Sequence, residues 1–140
     1  MHKTKRILGL LVACAFAFGL CSISAQIAPR SEKQAVNNLE TLTGCIGQYP
    51  ITMQIDLENG NEGQYIGYYY YNSRPNNKFR LKLVKMEAIN LSGSMKVVLK
   101  EFTPAGKNTG TFNGQYECRG SYYAGTFTNS HGQKFKFELE

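Results

Sequence analysis

Three groups of residues carry chemistry in this sequence. The first is the run Tyr68-Tyr69-Tyr70-Tyr71. Tyrosines combine an apolar ring with a hydroxyl, which suits sugar rings, peptides and flat ligands. Extended backbone turns Tyr68 and Tyr70 one way and Tyr69 and Tyr71 the other. Tyr122 and Tyr123 repeat the pattern. The same run equally serves as cross-strand aromatic packing. The second is Glu101, which alternates with Val97 and Leu99 on an apolar face. An inward carboxylate is costly to bury without a partner. It suits a cationic or hydroxylated ligand, or is a structural acid tied to Arg80, Arg119 or turn amides. A bulge in its strand would turn it outward. The third is the stripe Arg80, Lys82, Lys85, Lys96 and Lys100. It suits an anionic surface, such as lipopolysaccharide or an acidic partner protein. As a solvated strand face it would instead discourage edge pairing.

Catalytic patterns are sparse. No Gly-x-Ser-x-Gly elbow, phosphate loop or dinucleotide fingerprint occurs. His131 sits in Ser130-His131-Gly132, the grammar of a turn. Cys45 and Cys118 lie too far apart in sequence to make a zinc site, and His131, the single histidine after the first 25 residues, forms no close cluster with them. The expectation is a non-enzyme with no cofactor and no metal.

The elements that must position these groups read as strands. The chain has 140 residues with 14 Gly, 9 Tyr, 8 Phe and no Trp, a composition of turns and strands. Ile51, Met53, Ile55 and Leu57 alternate with polar residues, and Asn59-Gly60 marks the following turn. Gln64 to Asn72 is the next strand, with Ile66, Tyr68 and Tyr70 on one face. Phe79, Leu81 and Leu83 follow, with a bulge or bend expected near Met86 to Ala88. Met95, Val97 and Leu99 lead a fifth strand. Phe112, Gly114, Tyr116 and Cys118 lead a sixth, Ser121 to Asn129 a seventh, and Phe135, Phe137 and Leu139 an eighth. Residues 31–44 are the one candidate helix, with a helix or loop to about Glu40 and a strand from Thr41 to Gly47. The spacing predicts a small all-β, antiparallel, up-and-down β-barrel of about eight strands over 41–140, or a β-sandwich.

The first 25 residues read as an address. Lys3, Lys5 and Arg6 precede an uncharged run from Ile7 to Leu20, too short for a comfortable membrane span of about 20 residues. Ser22-Ile23-Ser24-Ala25-Gln26 suits cleavage between Ala25 and Gln26. The expectation is an exported protein, periplasmic or secreted, with no membrane span once the signal is removed. The alternative is a lipoprotein anchored through Cys14, after Leu11-Val12-Ala13. Three of the 16 basic residues and none of the 10 acids lie in this segment, so the formal charge falls from +6 to +3. That is mildly basic, and too weak a footprint to imply nucleic acid. Removal also takes Cys14 and Cys21, leaving Cys45 and Cys118. An exported chain with two cysteines suggests one disulfide, or two buried free thiols.

The order of Tyr49-Pro50-Ile51-Thr52-Met53, Gly67-Tyr68-Tyr69-Tyr70-Tyr71, Leu91-Ser92-Gly93, Leu99-Lys100-Glu101, Gly110-Thr111-Phe112-Asn113-Gly114 and Gly125-Thr126-Phe127 resembles a class of small secreted bacterial all-β proteins. Leu42-Thr43-Gly44, then a strand with Met53, then a Gly-x-Tyr strand is similar to the opening of the avidin and calycin barrels. That resemblance implies an eight-stranded barrel. The avidin pattern lines its biotin pocket with tryptophans, which this chain lacks, and no biotin-site residue is carried over.

Two functions fit. One is a binding module that holds a small apolar or glycan-type ligand, with Ile51, Met53, Tyr68, Tyr70 and Phe112 around a cavity and Glu101 as anchor. The other is an interaction module, such as an inhibitor of an extracytoplasmic enzyme or an envelope-complex component. It would have a filled barrel and a functional rim at Asn59 to Glu62 or Ser73 to Asn77.

Overall fold

The structure, a computed structural model, describes residues 39–140. The signal segment, the Ala25/Gln26 junction, Cys14 and residues 31–38 of the candidate helix lie outside the described residues. Eight strands follow in order: β1 (Glu40–Ile46), β2 (Tyr49–Ile55), β3 (Tyr65–Tyr71), β4 (Phe79–Ala88), β5 (Ser94–Phe102), β6 (Asn108–Glu117), β7 (Tyr122–Asn129) and β8 (Lys134–Leu139). Each pairs antiparallel with the next, and β8 returns to β1 through Gly44↔Leu139, Cys45↔Glu138 and Ile46↔Phe137. The result is a closed up-and-down barrel, as the strand spacing predicts. Closure leaves no sheet edge. At the seam, a Cβ on Gly44 would stand 1.9 Å from the Glu138 carbonyl oxygen, so only glycine lets β1 and β8 approach.

Alternation sets the core. Leu42, Ile51, Met53, Leu81, Leu99 and Leu139 are all fully buried. The ring of Phe112 lies 5.2 Å from Tyr69, 4.8 Å from Phe127 and 5.1 Å from Phe137 between centroids. These rings fill the middle of the barrel, as eight strands allow. Apolar side chains point in and most charged ones point out, with Asp56 and Glu101 the buried acids. This is the reverse of a membrane-spanning barrel, whose apolar band faces lipid.

Three bulges shift the register, and one lies beside Glu101: Glu101 pairs with Gly110 but Phe102 with Asn108, so Thr109 is an extra residue in β6. Tyr65 pairs with Lys82 but Gly67 with Leu81, so Ile66 is an extra residue in β3. Ile66 and Gly67 both turn inward, and the alternation beyond them inverts. Tyr69 and Tyr71 therefore face the interior, and Tyr68 and Tyr70 face outward. This corrects the expected Ile66–Tyr68–Tyr70 face. The bulge in β4 lies at Val84, between Leu83↔Leu99 and Lys85↔Val98. It precedes the expected Met86–Ala88 segment, which continues the strand.

The strands alternate in direction, so the barrel has two unlike ends. One carries the four turns β1–β2, β3–β4, β5–β6 and β7–β8. The other carries the remaining turns, the entry to β1 and the end of β8.

Candidate functional site

Near the four-turn end of β5, Glu101 faces inward and is only 4% exposed. The expected inner face is therefore the observed one, but the expected partners are not. The Tyr69 hydroxyl donates to Oε2 across the barrel interior. The Thr109 hydroxyl, from β6, donates to Oε1 at 2.7 Å. Arg80 instead lies on the outer wall over Tyr65. Both donors to Glu101 are neutral. The two ion pairs among the described residues, Lys85–Glu87 and Lys136–Glu138, do not involve it.

Burial pushes the Glu101 carboxyl above its usual range, and the two hydroxyl donors pull it partway back. Burial, followed by the charge of Glu101, pushes the Tyr69 phenol far above its usual range. Tyr71 is raised in the same direction, chiefly by burial. The phenols therefore stay protonated, and Tyr69 remains a donor.

Above this carboxyl lies a pocket of about 210 Å³. Tyr49, Tyr71, Phe79 and Phe135 form its walls, with Glu101 and Tyr69 at its base. Phe79 stacks on Tyr69 at 5.2 Å and meets Tyr71 edge-on at 6.2 Å. Tyr49 meets Tyr71 edge-on at 6.3 Å. A shallower hollow of about 310 Å³ also touches Tyr49 and Tyr71 and reaches Ser73 and Arg74. An acid without a cationic partner inside an aromatic cage has the chemistry of an ammonium receptor. Ring faces attract a cation, and the carboxylate supplies the counter-charge.

The opposite end holds a larger hollow of about 600 Å³, with Met86, Met95, Ile55 and Leu57 in its lining. Its buried acid is already used in the fold. Asp56 accepts from the Asn59 backbone at 2.9 Å and from the Asn59 amide, clamping the β2–β3 connection. Glu40, at the same mouth, accepts from the Tyr116 hydroxyl.

The residues singled out in the sequence are dispersed by the fold. Glu101 and Phe112 lie together, Phe112 packing against Tyr69 beneath the pocket. Met53 is buried in the barrel but lines neither hollow. Tyr68 and Tyr70 are on the outside, Tyr68 donating to Gln54 Oε1. The pocket residues that sequence reasoning missed are Tyr49, Tyr69, Tyr71, Phe79 and Phe135. A signal was present: Tyr49, Tyr71, Phe79 and Phe135 stand at or next to the ends of four strands, all at one end of the barrel.

Cys45 and Cys118 are free thiols. Cys45 faces outward near the four-turn end of β1, whereas Cys118 is exposed beyond β6 at the opposite end. No side-chain motion spans that separation. The expected disulfide is therefore corrected.

The fold defines a closed eight-stranded barrel with a polar exterior, and the site defines a small caged carboxylate. No protein-family model matches the chain, and no curated protein or solved structure matches it significantly. Function must therefore be read from the side chains.

Proposed function

We propose that this is an exported, non-catalytic binding protein that takes a small ligand by its positively charged group. The head enters the pocket at the four-turn end, against Glu101 and between Tyr49, Tyr71, Phe79 and Phe135. The observation that carries this reading is the buried Glu101 carboxyl, which has neutral donors only and faces the cage. Leaving an acid in an apolar interior is unfavourable. A bound cation removes that penalty. The pocket volume suits a single ammonium or methylated ammonium head, with the rest of the ligand emerging past Tyr49 and Tyr71.

Native mass spectrometry of protein purified from its own host tests this. The expected result is a released species of modest mass with a fixed or protonatable amine. A ligand without one overturns the reading.

The solid middle of the barrel favours a second reading, in which the fold is a rigid scaffold for a protein partner. An envelope pull-down that recovers one stoichiometric protein, with the pocket empty, would support that reading instead.

A further inference from the structure

The outer wall carries a second feature, independent of the pocket. Lys78 precedes β4, and Arg80 and Lys82 alternate along its start, about 7 Å apart. Lys100 lies directly across from Lys82 on β5. The Lys78 ammonium sits 4.6 Å from the Tyr68 ring centroid. The Arg80 guanidinium sits 4.4 Å from that of Tyr65. The Lys82 ammonium sits 5.2 Å from Tyr65 and 5.7 Å from Phe102. Rings thus hold three cations against the wall. None of the four cations takes part in an ion pair among the described residues.

Two ordinary explanations fail here. A guard against edge pairing has nothing to guard, because β4 and β5 lie inside a closed sheet. Cross-strand charge pairing does not explain it either, because Lys82 stands opposite Lys100, a like-charge pair. Beside the cations, β2 offers hydrogen-bonding groups. Gln54 is engaged with Tyr68, and Thr52 donates to Asn72 Oδ1 at 2.8 Å.

We propose that this outer wall, spanning β2 to β5 around Arg80, Lys82 and Lys100, binds an acidic polysaccharide. Carboxylates of the glycan meet the cations, and its hydroxyls meet the Thr52, Gln54 and Tyr68 row. Charge complementarity selects an anionic chain, and the neutral polar row selects one rich in hydroxyls. A lipid surface fits less well, since Val84 is the one exposed aliphatic residue beside these cations, and Ile89 and Leu91 lie beyond the far end of β4. Single-stranded nucleic acid also fits less well, because the rings that would stack bases are covered by cations.

Affinity electrophoresis of the purified protein tests this, with polygalacturonate, neutral dextran, phosphatidylglycerol vesicles and poly(dT) as probes. Polygalacturonate is expected to retard the protein and dextran is not, with the retardation fading at high salt. The triple variant Arg80→Gln, Lys82→Gln, Lys100→Gln is expected to bind about tenfold more weakly. Its melting temperature should stay close to that of the native protein, because the like-charge pair and the cation–ring contacts are lost together. Absent retardation, equal retardation of the triple variant, or tighter binding to vesicles or poly(dT) overturns the proposal.

Discussion

Tyr69 and Glu101 join β3 to β5 through the inside of the barrel, passing over β4, with the phenol donating to the carboxyl. The two strands are not neighbours in the sheet: both pair with β4, and the contact crosses its inner face because the sheet curls into a barrel. It also leaves an acid in the interior with no cation to balance it. The consequences of that imbalance are measurable.

Glu101→Gln keeps the shape and an acceptor for Tyr69 while removing the charge. The empty protein is expected to gain about 1 kcal/mol at neutral pH, read from chemical denaturation. The same variant should lose affinity for ammonium ligands. A site whose removal stabilises the fold is the usual sign of function held against stability.

The pH dependence follows from the direction of the shift. The Glu101 carboxyl titrates higher in the folded protein than in the unfolded chain. Between those two values the folded state holds a proton that the unfolded state has lost. The stability of the empty protein attributable to Glu101 therefore falls as pH rises through that window. Affinity for a cation rises over the same window, because the carboxylate forms. Melts and titrations from acid to neutral pH should show opposite slopes, and Glu101→Gln should flatten both.

Tyr69→Phe and Tyr68→Phe separate the two faces of β3. Removing the Tyr69 hydroxyl strips a buried acceptor of its donor and should cost about 1–3 kcal/mol. It also removes a bond that lowers the Glu101 pKa, so the pH window should move upward. Removing the Tyr68 hydroxyl touches an outer-wall bond to Gln54 and should change stability by less than about 0.5 kcal/mol. Equal effects would contradict the inward placement of Tyr69.

Gly67→Ala tests the bulge that sets this placement. A Cβ there would stand 1.9 Å from the Gln54 carbonyl oxygen. That backbone cannot yield without breaking the β2–β3 register, so a loss of more than about 2 kcal/mol is expected. Denaturant midpoints check this directly.

The free thiols give a simpler check. An exposed Cys118 should react promptly with a thiol reagent in the folded state, and the intact mass should show no loss of hydrogens. Cys45→Ser and Cys118→Ser should each leave stability within about 0.5 kcal/mol.

Strand positions were legible because alternation is local. Ile51, Met53 and Ile55, or Phe135, Phe137 and Leu139, announce their faces within one strand, and closure follows from eight hairpin-linked strands in so short a chain. The inward face of Glu101 was legible for the same reason. The phase of β3 was not. Ile66 looks like the start of an inward face, yet it is the extra residue of a bulge that depends on Gly67 fitting beneath the Gln54 carbonyl. That contact lies on another strand, and no local pattern reports it. The partners of Glu101 were hidden likewise, since Tyr69 reaches it only through the interior. The cysteine pairing failed because counting thiols gives no distance, and the two lie at opposite ends.

The most direct measurement is an NMR titration with tetramethylammonium, following the ring signals of Tyr71, Phe79 and Phe135 in the native protein and in Glu101→Gln. The account predicts saturable shifts confined to rings at the four-turn end in the native protein, and their loss in the variant. Unmoved rings, or equal shifts in both proteins, would contradict it.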